Sequence, residues 1–94
     1  MRTPEGILKD KVKAYLKEKN AWYFMPVFGG YGTPTLDFIG CYKGKFFAIE
    51  TKAPGKKPTP RQGLTIYALR DKGATVWWHW DWDTLRPALD KFFV

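Results

Sequence analysis

Leu36-Asp37-Phe38-Ile39-Gly40-Cys41-Tyr42, then Lys43-Gly44, then Lys45-Phe46-Phe47-Ala48-Ile49-Glu50-Thr51-Lys52 holds the densest structural signal in this chain. Two apolar, aromatic-rich runs flank a short Lys-Gly break, which predicts an antiparallel hairpin with strands over 36–42 and 45–52. In the second strand the two-residue period sends Phe46, Ala48, Glu50 and Lys52 to one face and Phe47, Ile49 and Thr51 to the other. Asp37 stands near the start of the first strand and Glu50 near the end of the second. The hairpin therefore brings the two carboxylates together, with the Lys52 ammonium beside them.

Upstream, Gly29-Gly30-Tyr31-Gly32-Thr33-Pro34 reads as a loop, and 21–28 as a further strand in which Pro26 marks an edge or a bulge. Thr3-Pro4-Glu5 is the pattern of an N-cap, an N1 proline and an acidic first turn. Leu8, Val12, Tyr15 and Leu16 form an apolar stripe, and Lys9, Lys13 and Lys17 read as a solvated face, so an amphipathic helix is expected from there to about Asn20. Downstream, Ala53-Pro54-Gly55-Lys56-Lys57-Pro58 is a basic loop, and Thr59-Pro60 opens a second helix that Gly73 stops. Gln62 lies in its first turn on the side of Ile66 and Leu69. A strand over 74–80 and a helix over 84–92, with Pro87 in its first turn, complete the order αβββαβα. The expected architecture is an α/β domain spanning 1–94 with a mixed central sheet flanked by helices.

Composition narrows the function. With 94 residues, a formal charge of +7 and 18% aromatic residues, the chain suits a small aromatic-rich core and a polyanionic partner. One cysteine, Cys41, cannot close a disulfide within the chain, and reads as a small buried hydrophobe. No run approaches the roughly 20 apolar residues that span a bilayer, and the N-terminus lacks the apolar run of a signal peptide, so a cytoplasmic protein without membrane contact is expected. His79 is the only histidine, which argues against zinc-dependent or histidine-based nuclease sites.

Two carboxylates at one point repel unless a cation lies between them, and hard oxygen donors with a partial water shell suit Mg²⁺ or Mn²⁺. A neighbouring lysine can hold or deprotonate an attacking water, so Asp37, Glu50 and Lys52 form a set able to hydrolyse a phosphodiester. The other reading of the same residues is a cross-strand salt bridge on a solvent face.

These residues resemble the PD-(D/E)XK nuclease superfamily, with Asp37 and Glu50-Thr51-Lys52 standing for its D…E-x-K signature. The order Glu5, Gly32, Asp37, Glu50-Thr51-Lys52, Gln62, Gly73 is similar to the VRR-NUC (virus-type replication-repair nuclease) branch in its stand-alone form, over about residues 4 to 80. The resemblance implies that Asp37, Glu50 and the backbone carbonyl of Thr51 hold a divalent ion and that Lys52 handles the water. It implies that Glu5 approaches the ion or its waters and that Gln62 positions the lysine or the scissile phosphate. Stand-alone members look like homodimeric, structure-selective nucleases, some acting on four-way (Holliday) junctions, which implies a homodimer acting on branched DNA. A bacterial or phage-infected cell, and a role in replication, recombination or repair, follow from the same resemblance. One departure stands out: the family often has proline directly before the aspartate, whereas here Leu36 holds that place and Pro34 lies three residues before Asp37.

Lys56, Lys57 and Arg61 cluster after the site at a helix start, and read as contacts to the DNA backbone or as a solvated basic loop. Alternation would send Trp78, Trp80 and Trp82 one way and Trp77 with His79 the other, with core packing, a dimer seam or base stacking as their uses. A non-catalytic nucleic-acid-binding module of the same fold is the alternative function, and a subunit docking through exposed tryptophan a third.

Overall fold

The hairpin forms as its sequence requires. In the computed structural model, which describes residues 2–27 and 35–94, Phe38–Tyr42 and Lys45–Thr51 pair antiparallel. Phe38 faces Ile49 and Tyr42 faces Lys45, so the connection is the two residues Lys43 and Gly44. Both have positive φ, 49° and 79°, the backbone of a type I′ turn whose twist matches that of its strands. The glycine-rich loop over 29–34, Gly32 and Pro34 included, and Phe28 lie outside the described residues.

In chain order the elements are α1 (Pro4–Glu18), β1 (Trp22–Phe24), β2 (Phe38–Tyr42), β3 (Lys45–Thr51), α2 (Pro60–Asp71), β4 (Thr75–His79) and α3 (Trp82–Phe92). The expected αβββαβα order is the observed one. The strands line up β1-β2-β3-β4, with β1 and β2 antiparallel, β2 and β3 antiparallel, and β3 and β4 parallel. The parallel pair needs a crossover, and α2 supplies it.

Helix ends follow local chemistry. The Thr3 and Thr59 side chains accept from the backbone N–H groups of Gly6 and Gln62, and proline opens each helix. At the far ends, Asn20 (φ 57°) and Gly73 (φ 96°) turn the chain left-handed, while Ala21 N donates to Leu16 O and Ala74 N to Leu69 O, satisfying carbonyls the helices leave open.

The sheet has two unequal sides. On one, Leu8, Val12, Tyr15 and Leu16 of α1 and Leu85 and Leu89 of α3, together with Phe93, enclose Phe38, Phe47 and Ile49. On the other, α2 contributes Ile66 to a smaller cluster with Leu36, Ala48 and Val76. That second side is covered only over β3 and β4; the row Trp22, Cys41, Phe46 across β1, β2 and β3 is exposed, with Trp22 at 65%. Cys41 is thus an exposed thiol rather than a buried hydrophobe, because no helix covers that half of the sheet. Gly40 is where the first three strands press together: a Cβ there would lie 2.6 Å from the Phe47 ring and against the Trp22 carbonyl.

Further expectations change. The first strand keeps only Trp22–Phe24 of the expected 21–28, stopping short of Pro26, which has no N–H to give a ladder. Helix α3 starts at Trp82, two residues early, because the Asp81 side chain accepts from both Thr84 N and Thr84 Oγ1. Pro87 is therefore inside the helix rather than in its first turn. Trp82 leaves the strand alternation for the same reason and meets Tyr15 edge-on at 5.8 Å. Trp77 packs against the larger core and Trp78 against the smaller, so core packing accounts for both.

Candidate active site

The hairpin delivers Asp37, Glu50, Thr51 and Lys52 to one end of the sheet, where α1 and α2 both begin. The two carboxylates are joined through backbone: Asp37 N donates to Glu50 Oε1 at 3.0 Å. Thr51 then fixes the other acid, its N and Oγ1 donating to Asp37 Oδ2 at 2.9 and 2.6 Å. Alternation along β3 turns Thr51 toward α1 and Glu50 toward α2; Asp37, in the bend before β2, meets Thr51 and Lys9 on the α1 side, and Lys52 reaches Gln62 on the α2 side. Beyond the strand, Lys52 N still donates to His79 O, which ties the lysine backbone to β4.

On the α2 side, Gln62 is the hub. Its Nε2 donates to Glu50 Oε2 at 2.8 Å, and its Oε1 accepts from Lys52 Nζ at 2.8 Å and from Thr59 N at 2.9 Å. One amide thus completes the capping box of α2 and holds both the acid and the base of the ExK triplet. Lys52 Nζ also lies 3.4 Å from Glu50 Oε2; the Glu50 side chain is 4% exposed and that of Lys52 14%. This is no surface salt bridge, and Lys52 is no exposed edge lysine.

On the α1 side the contacts are ionic. Lys9 Nζ lies 2.6 Å from Glu5 Oε2, one helical turn back, and 3.4 Å from Asp37 Oδ2. Glu5, the expected approach from α1, therefore reaches Asp37 through an ammonium. Sequence reading missed Lys9 by grouping it with Lys13 and Lys17; the Glu5–Lys9 spacing of four was the available signal.

Electrostatics follow from this packing. Burial, reinforced by the negative charge of Asp37 and partly offset by Lys52, pushes the Glu50 carboxyl up to about 7. Burial acts to lower the Lys9 pKa, but the hydrogen bond to Glu5 and the charge of Asp37 outweigh it and the ammonium is held above its ordinary range.

Among the described residues no three His, Cys, Asp or Glu side chains form a ready-made metal cluster. The donor set that Asp37 and Glu50 offer is two hard carboxylates, which leaves the remaining positions of an octahedral shell to backbone oxygen and water. That fits Mg²⁺ or Mn²⁺, which keep several waters, better than a metal that needs an all-protein cage. Leu36, in the place of the resembling family's proline, is 1% exposed and fills the smaller core, so packing holds the segment entering Asp37. Lys56, Lys57 and Arg61 are exposed along the loop and first turn that follow Lys52.

The chain is an α/β fold with a four-stranded mixed sheet, helices on both faces, and an acid–acid–lysine cluster where its central hairpin ends. That fold is the one of a VRR_NUC domain. A solved structure described as a VRR_NUC domain superposes with a TM-score of 0.81 over 94% of this chain and 96% of that one, at 19% sequence identity. No family model matches the sequence, and no curated protein does.

Proposed function

We propose that this protein is a divalent-metal-dependent endonuclease that hydrolyses phosphodiester bonds in DNA, with branched DNA such as four-way junctions as its substrate. The observation that carries the reading is the single hydrogen-bonded unit made of Asp37, Glu50, Lys52 and Gln62 at the hairpin end of a VRR-NUC fold. A solvated salt bridge needs no buried acid; a site built to change protonation or bind a cation does.

In this reading Asp37, Glu50 and the Thr51 carbonyl hold Mg²⁺ or Mn²⁺, and Glu5 reaches its water shell. The ion supplies charge neutralisation of the phosphate and a water of lowered pKa. The chain's own residues do the rest. Thr51 keeps Asp37 in one rotamer through two donors to the same oxygen. Gln62 holds the Lys52 ammonium beside Glu50, where it can position the attacking water and offset charge on the phosphate. Lys56, Lys57 and Arg61 bind the DNA backbone beside the site. A homodimer with C2 symmetry would present two such sites to a two-fold symmetric junction. The expected setting is the cytoplasm of a bacterial or phage-infected cell.

The test compares cleavage of a labelled four-way junction, a flap and a linear duplex in Mg²⁺, Mn²⁺ or EDTA, with Asp37→Asn beside the wild type. Metal-dependent cuts by the wild type alone, fastest on the junction, support the proposal. DNA that is bound in a salt-dependent way but never cut with either ion would replace the nuclease with a binding module of this fold.

A further inference from the structure

Resting on the metal-site reading above, the contacts of Lys9 carry a statement about how that site is kept before an ion arrives. Glu5 and Asp37 share the α1 side of the site, and Lys52 is turned toward Glu50 on the α2 side. Asp37 and Glu5 are served instead by Lys9, whose Nζ bridges Glu5 Oε2 at 2.6 Å and Asp37 Oδ2 at 3.4 Å. The placement is specific, since Lys13 and Lys17, at the same four-residue spacing further along α1, are exposed. A divalent ion on Asp37 and an ammonium on the same carboxylate repel at close range in a half-buried site. Each weakens the other's hold on Asp37.

We propose that Lys9 is an internal counter-ion that holds Glu5 against Asp37 while the site is metal-free and gives up Asp37 when the divalent ion binds. The fold provides for both positions. The Lys9 side chain is 24% exposed, and it borders a cleft of about 450 Å³ lined also by Thr3, Pro4, Glu5, Gly6 and Ala53. The four-carbon stem can swing into that space while its ammonium stays paired with Glu5. Lys9 is a positioning residue, and its consequence is measurable: metal affinity is set by competition with an ammonium, so removing the ammonium tightens metal binding.

The experiment titrates Mn²⁺ by calorimetry into the full chain as wild type, Lys9→Met, Lys9→Arg and Asp37→Asn, and measures Tm of each in EDTA. Lys9→Met is expected to bind Mn²⁺ on the order of tenfold more tightly and to melt a few degrees lower in EDTA. Lys9→Arg, which keeps the charge, should stay near wild type in both. Unchanged or weaker Mn²⁺ affinity in Lys9→Met overturns the inference, even with a lowered Tm, which would leave Lys9 a structural salt bridge. If the wild type shows no saturable Mn²⁺ site that Asp37→Asn removes, the metal-site reading itself falls and this inference with it; the two failures are distinguishable.

Discussion

The two helices that meet at the candidate site begin alike, Thr3-Pro4-Glu5 and Thr59-Pro60-Arg61-Gln62, yet they hold it by different physics. Helix α1 brings charge: Glu5 and Lys9 form an ion pair that leans on Asp37 and stays partly open to solvent. Helix α2 brings a neutral amide, whose hydrogen bonds to Glu50, Lys52 and its own N-cap are made where Glu50 is nearly sealed from water. An ionic arm that is exposed is weak and sensitive to salt, whereas a neutral hub beside a buried charge is hard to remove. One arm can be rearranged; the other fixes the geometry.

The largest expected effect tests what the amide hub is for. Lys52→Ala should lower the rate of metal-dependent cleavage on the order of 10²–10⁴-fold, read in single-turnover assays, with DNA affinity nearly kept. Because Lys52 is packed against Gln62 and Glu50, a modest fall in Tm should accompany it; an unchanged rate would remove Lys52 from the chemistry.

Next comes pH. The folded chain holds the Glu50 proton up to about pH 7, against 4.5 for an ordinary carboxyl, so over that window it binds a proton the unfolded chain has released. Stability from this source is fully present below 4.5 and is lost as pH rises through 7. Its total is about 3 kcal/mol at most. Urea melts in EDTA between pH 4.5 and 7.5 should show wild-type stability falling relative to Glu50→Gln, a variant with nothing to titrate there; parallel curves would mean that Glu50 is not held protonated.

Smaller still, the arms can be set against each other directly. Gln62→Ala strands Glu50, Lys52 and the Thr59 N–H together and should destabilise the chain by about 1–3 kcal/mol. Glu5→Gln breaks only the partly exposed pair and should cost under about 1 kcal/mol, less in high salt. Denaturant midpoints at two salt concentrations measure both, and equal losses would erase the distinction between the arms.

Most of this was legible in the chain because the signals are local. A Lys-Gly break between two apolar runs, two Thr-Pro starts and a glycine stop set the element order, and period-two alternation placed Glu50 beside Lys52. What escaped depended on the third dimension. Lys9, Lys13 and Lys17 recur every four residues; Glu5 one turn before Lys9 marks it in sequence, but its role shows only where α1 approaches Asp37. Cys41 looked like core because strands usually bury such residues, but α2 covers only the β3–β4 half of its face. The third helix starts before the expected Thr84 because Asp81, between two tryptophans, caps it.

The exposed thiol of Cys41 has a practical side. It is the chain's sole cysteine, lying toward the turn end of the hairpin while Asp37 and Lys52 occupy the other. A nitroxide attached there needs no background mutations and leaves the acids and the lysine untouched. Dipolar spectroscopy on such a sample would return one sharp inter-spin distance from a symmetric pair and only background decay from a lone molecule. Whether copies of the chain associate, alone or with DNA added, could then be read from the unmutated chain.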